Sequence, residues 1–107
     1  MKNDKIKNAI QELKIKIEAQ FGVVEIILFG STARGKAGYE SDIDLLILVP
    51  CELNNSIEES IFETAFEIEL KYDVIFGIIT YSKKFWESPQ AEAMPLYQNI
   101  TLEGVAQ

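Results

Sequence analysis

Asp42 and Asp44 stand one residue apart at the head of an apolar run, SDIDLLILV, and a third acid, Asp73, opens another such run in KYDVIF. If residues 43–49 form a strand, side chains two positions apart share a face, with Cα atoms roughly 6.6 Å apart. Asp42 and Asp44 then converge on one side, and Ile43 and Leu45 take the other. Carboxylates at that spacing suit hard divalent cations, and two such ions roughly 3.5–4 Å apart serve phosphoryl transfer. Asp73 on a neighbouring strand would complete a three-carboxylate cage, one member of which could take a proton from an attacking hydroxyl. Each acid also has a plainer reading: Asp42 and Asp44 as water-facing residues at a strand start, Asp73 as a residue that caps or precedes a strand.

Gly30-Ser31 closes the apolar run before the acidic pair. A glycine lets backbone approach a ligand closely, and N–H groups at a helix start attract phosphate oxygens; the Ser31 hydroxyl adds a donor. The dipeptide alone reads as a plain turn, and only its position between the strand and the acidic pair adds to that. Arg34 and Lys36 place positive charge in the same loop, suited to a leaving pyrophosphate or simply solvated. The chain has no histidine, so an intrachain imidazole base is ruled out and a carboxylate–metal mechanism fits.

The 107 residues allow one modest core, so residues 1–107 read as one domain. Ten Lys and Arg against seventeen Asp and Glu give a net charge of −7, which excludes bulk electrostatic binding of nucleic acid. A polyanionic ligand needs local help, from metal or a positioned basic loop. The single Cys51 cannot close an internal disulfide, the amino terminus does not resemble a signal peptide, and no apolar run approaches the roughly 20 residues of a membrane-spanning helix. The expectation is a cytoplasmic protein with no membrane association.

The elements that must position these residues follow from periodicity. Ile6, Ile10, Leu13 and Ile17 form one helical stripe over residues 3–21, and Gly22 follows where a helix end favours glycine. Residues 23–29 and 43–49 read as buried strands. Ser56 and Glu59 suggest a capping box for a helix to about residue 71, with Ile57, Ile61, Ala65, Phe62, Phe66 and Leu70 as its apolar residues. A third strand is predicted over residues 73–80. Ser88 and Pro89 start a C-terminal helix that Pro95 kinks or splits and Gly104 ends. The fold class is α/β (α+β), a small mixed β-sheet with helices packed on it.

Gly30-Ser31, ten intervening residues, then Asp42-x-Asp44, with apolar strands on both sides and a later acid, resembles the G-S-x(10)-D-x-D signature of the DNA polymerase β-like nucleotidyltransferase superfamily. The small size, LFGSTARG…SDIDLLI and the ending PLYQNITLEGV look like its minimal nucleotidyltransferase (MNT) subgroup, across nearly the whole chain. The resemblance implies the nucleotidyltransferase fold and a HEPN-domain partner in a hetero-oligomeric, type VII-like toxin–antitoxin module. In that setting the antitoxin transfers AMP from ATP to a tyrosine hydroxyl of the HEPN ribonuclease toxin. It further implies Asp42, Asp44 and Asp73 as catalytic ligands of two Mg2+ ions, and Gly30, Ser31 and Arg34 as the nucleotide-binding turn and loop. Thr32 stands where many relatives carry a basic residue; this departure weakens the case for additional phosphate contacts and leaves the core signature intact.

The face of Asp42 and Asp44 continues through Leu46 and Leu48, and that of Asp73 through Ile75 and Ile79, so apolar surface there needs a cover. Either the C-terminal segment, with Phe85, Trp86, Met94, Leu96 and Tyr97, folds over it, or part of it docks another chain. For function, the leading expectation is AMP transfer. The alternative is a binding module that neutralises its partner by complex formation with little or no catalysis. Transfer to a small molecule such as an aminoglycoside needs an acceptor pocket that such enzymes usually build with additional residues, and the short chain argues against it.

Overall fold

The computed structural model describes residues 2–30 and 42–107. Helix α1 spans Lys2–Phe21 and buries Ala9, Ile10, Leu13 and Ile17, the stripe its periodicity dictates. Gly22 ends it with φ 89 and donates its N–H to the Glu18 carbonyl at 3.0 Å. Strand β1, Glu25–Phe29, starts two residues later than the sequence predicts. The Val24 N–H is taken by the Glu18 carboxylate at 3.1 Å rather than by a ladder, and Val23 is exposed.

Strand β2, Ile43–Val49, has the predicted bounds. Helix α2, Asn55–Tyr72, is capped by Asn54, whose Oδ1 accepts from the Ile57 N–H at 2.9 Å. The predicted Ser56–Glu59 capping box does not form, because Asn54 serves that role two residues earlier and Ser56 already lies in the first turn. Strand β3 is Phe76–Ser82, so it begins three residues after Asp73 rather than at it. The C-terminal segment is three short helices, α3 (Lys83–Trp86), α4 (Pro89–Glu92) and α5 (Pro95–Glu103). Ser82 and Ser88 cap α3 and α4 through their hydroxyls, and Pro95 starts α5 at the position where a missing N–H costs nothing. A two-residue strand β4, Val105–Ala106, is too short to read from sequence.

The sheet order is β3-β2-β1-β4, with β1–β2 and β1–β4 antiparallel and β2–β3 parallel. The parallel pair needs a crossover, and α2 supplies it. β2 is therefore central and apolar on both sides. Ile43, Leu45, Ile47 and Val49 join the core beneath α1 and α2, together with Ile26, Ile61, Ala65, Ile68 and Phe76. Leu46 and Leu48 face the opposite side, where Ile100, Trp86, Leu96, Ile79 and Tyr81 pack on them. The C-terminal segment thus covers this face, with aromatic centroids 5.1 Å apart for Tyr81–Phe85 and 4.9 Å for Trp86–Tyr97. Gly104 fits α5 tightly to the sheet: a Cβ there would lie 2.5 Å from the Ile100 carbonyl oxygen and 2.7 Å from Ile27 Cγ2.

Candidate active site

The acidic pair sits where three strands meet. Phe29 of β1 pairs with Asp44 of β2, and Asp44 pairs with Gly77 of β3, so one row crosses the sheet at the carboxylate. Asp42 lies just before β2, held in place by the following residue's N–H, from Ile43 to the Ile75 carbonyl at 2.8 Å. The i, i+2 spacing brings Asp42 and Asp44 to the same side, as the sequence requires. Both approach Gly77: a Cβ built there would be 2.8 Å from Asp44 Oδ1 and 3.8 Å from Asp42 Oδ2. Asp42 is exposed and Asp44 half-buried, at the margin of the apolar cluster formed by Leu46, Phe29 and Ile79.

Gly30 does what its residue type allows. It follows β1 with φ 75, a left-handed conformation, and a Cβ at this position would collide with Asp44 Oδ2. The backbone after β1 thereby runs against the carboxylate of β2. Ser31, Arg34 and Lys36 lie outside the described residues.

Asp73 does not join the pair. It is the C-cap of α2, in a left-handed conformation with φ 55, and its backbone N–H donates to the Glu69 carbonyl. Its side chain is exposed, and its carbonyl accepts from Lys5 Nζ at 3.2 Å, at the α1 side of the sheet. Among the described residues no group of three or more His, Cys, Asp or Glu is placed to hold a metal ion. The strand expected to carry Asp73 into the site starts too late, because the chain spends residues 73–75 leaving the helix. The residue that β3 does place opposite Asp44 is Gly77, which is not among the sequence-predicted site residues. Its signal was present: a glycine inside an apolar strand run marks a close approach of backbone to something else.

Two carboxylates on one face, with a side-chain-free glycine beside them, are an oxygen donor set for a hard divalent cation. Mg2+ is commonly held by one or two carboxylates with substrate phosphates completing its shell, rather than by an all-protein cage. Asp42 and Asp44 fit that arrangement.

Residues 5–101 match the nucleotidyltransferase domain family, and the chain belongs to it. Among its relatives, it is 43% identical over 58 residues to a Methanocaldococcus jannaschii protein named "Putative protein adenylyltransferase MJ0141", a match covering 54% of this chain and 59% of that one. A second M. jannaschii protein, "Putative protein adenylyltransferase MJ0604", is 33% identical over 81 residues, covering 76% of this chain and 74% of its own length. The fold recurs in solved toxin–antitoxin complexes. One, crystallised with AMP-PNP, contains a chain that superposes with a TM-score of 0.60 at 23% identity, covering 92% of this chain and 69% of its own. A mutant MntA–HpeT complex contains another, with a TM-score of 0.61 at 22% identity, covering 94% of this chain and 70% of its own.

Proposed function

We propose that residues 1–107 act as one cytoplasmic nucleotidyltransferase domain that transfers AMP from ATP to a tyrosine hydroxyl of a HEPN-type toxin, and so serve as its antitoxin. The observation that carries this reading is the Asp42–Asp44 pair gathered beside Gly77 and Gly30 at the end of three strands. The names of the M. jannaschii relatives support protein adenylylation, and the toxin–antitoxin neighbours support a toxin as the acceptor. No helix among the described residues is long and apolar enough to cross a membrane, which is compatible with the cytoplasmic placement.

In this reading Asp42 and Asp44 would hold Mg2+, which when bound would neutralise charge on the triphosphate and lower the pKa of the attacking hydroxyl. The protein's own part is positional. β2 fixes the two carboxylates to one face, while Gly30 and Gly77 keep side-chain atoms out of the space around them. Ser31 and Arg34 would bind the phosphates. Asp73 is retained from the family pattern only as a candidate, since its cap position separates it from the pair. That separation is also what favours the second reading, a partner-binding module with little catalysis.

One experiment separates the two. The protein is incubated with α-labelled ATP, Mg2+ and the product of the adjacent gene, beside the double variant Asp42→Asn, Asp44→Asn. Label on the partner that disappears with the variant supports AMP transfer. Absence of label, with full neutralisation by the variant in cells, would establish the binding module instead.

A further inference from the structure

Helix α2 carries apolar side chains on two sides, and among the described residues one of them packs into the core while the other stays exposed. Ile61, Ala65 and Ile68 are buried against the sheet, whereas Phe62, Phe66 and Leu70 are 46%, 59% and 69% exposed. Their four-residue spacing aligns them in one stripe along about 12 Å of helix. This stripe lies on the helical layer, whereas Asp42 and Asp44 share the opposite side of the sheet with Leu46 and Leu48, so it is no part of the site above.

The charges that α2 itself sets around the stripe are one-sided. Glu59, Glu63 and Glu67 are exposed beside it, Glu58 and Glu69 are half-buried on the same helix, and Lys71 is the single basic residue of α2. Lys71 is already tied to Glu12 of α1 at 2.8 Å, so its charge is matched within the chain. A second copy of this chain seated on the stripe through a twofold axis would set those glutamates against their own equivalents, at a cost in repulsion. A partner with an apolar ridge flanked by Lys or Arg would meet both features at once.

We propose that the Phe62–Phe66–Leu70 stripe docks an amphipathic helix of a partner protein whose apolar face is bordered by basic residues. The site is physically separate from the carboxylate pair, so it does not depend on AMP transfer. It would hold a partner on the helical layer and leave the carboxylate side open to an acceptor.

The probe is a fluorescent synthetic amphipathic peptide of about five helical turns, with leucines on one face and lysines bordering it; the control keeps the leucines and has glutamates at the border. Fluorescence anisotropy with the full chain should show binding of the basic peptide that weakens as salt rises, and no binding of the acidic one. Phe62→Gln with Phe66→Gln, both at exposed positions, should weaken it by about tenfold or more while leaving the circular dichroism melt unchanged. Asp42→Asn should leave peptide binding as it was, which separates the stripe from the catalytic reading. Equal binding of both peptides, no binding of the basic one, or binding indifferent to the double Gln variant would overturn the proposal. A concentration-dependent dimer that the double Gln variant abolishes would overturn it in favour of a second copy.

Discussion

Asp44 is pressed by glycine on two sides, and the two glycines differ in what a methyl group would do. At Gly77 the backbone is ordinary, and the added Cβ would press on the end of the Asp44 side chain, 2.8 Å away, with Asp42 Cβ and Oδ2 in ordinary contact at 3.7 and 3.8 Å. Gly77→Ala is therefore expected to fold with less than about 1 kcal/mol lost, as measured by urea denaturation, yet to lower the proposed AMP transfer strongly by moving the carboxylate. Gly30 adds a left-handed φ of 75 to its contact with Asp44. Gly30→Ala should cost about 1–2 kcal/mol of stability as well as activity. If Gly77→Ala kept full transfer, the space beside Asp44 would have no part in the reaction.

At Gly30 the sequence marks a turn out of the strand, and the structure adds the left-handed φ and the contact with Asp44. Gly77 was hidden by its neighbours: FGIIT reads as a strand, and which strand lies beside which is a matter of pairing, not of local sequence. The strand expected to open at Asp73 starts at Phe76 for a related reason. The apolar successors of Asp73, Val74 and Ile75, resemble strand residues, but they are consumed in the exit from α2, where the Val74 N–H still bonds the Glu69 carbonyl at 3.2 Å.

Among the elements, α2 decides most, since it is the crossover that makes β2 and β3 parallel and so brings Gly77 to Asp44. Its start depends on one side chain, Asn54, and Asn54→Ala should cost about 1 kcal/mol, read as a lower urea midpoint, with transfer unchanged under native conditions. A comparable loss from Ser56→Ala would restore the capping box that the structure replaces. Its middle depends on burial: Ile61 is fully buried, and Ile61→Ala should cost about 2–5 kcal/mol in the same assay. Helix periodicity predicts α2 and its apolar residues as one set. It does not divide the buried face from the outer stripe, because Phe62, Phe66 and Leu70 are as apolar as the residues that are buried.

Across the whole molecule, a polar clamp ties α1 to α2. The Glu12 carboxylate accepts from Lys71 Nζ at 2.8 Å and from the Tyr72 hydroxyl at 2.9 Å, and Lys16 Nζ lies 3.3 Å from its other oxygen. These partners, Lys71 foremost and then Tyr72, lower the Glu12 pKa from 4.5 to about 2. A carboxylate whose folded pKa lies below its unfolded one stabilises fully above the unfolded value and loses that contribution as pH falls through the folded one. The clamp's stabilisation should therefore be complete above pH 4.5 and fade toward pH 2. Urea midpoints measured across that window should fall less steeply for Glu12→Gln than for the wild type. Parallel slopes would show that the clamp adds nothing to acid stability.

The sequence by itself determined the local parts: the stripe of α1, the bounds of β2, the shared face of Asp42 and Asp44, and the glycine that lets backbone turn against them. Each of these rests on a period or a backbone preference that acts over a few residues. Only the tertiary structure decided that β3 meets Asp44 with Gly77, that Asp73 stays at a helix end, and that the C-terminal segment covers Leu46 and Leu48 while one stripe of α2 stays uncovered. Those outcomes depend on which element packs against which, a choice made by burying the most apolar surface at once across residues distant in the chain, and no local pattern contains it.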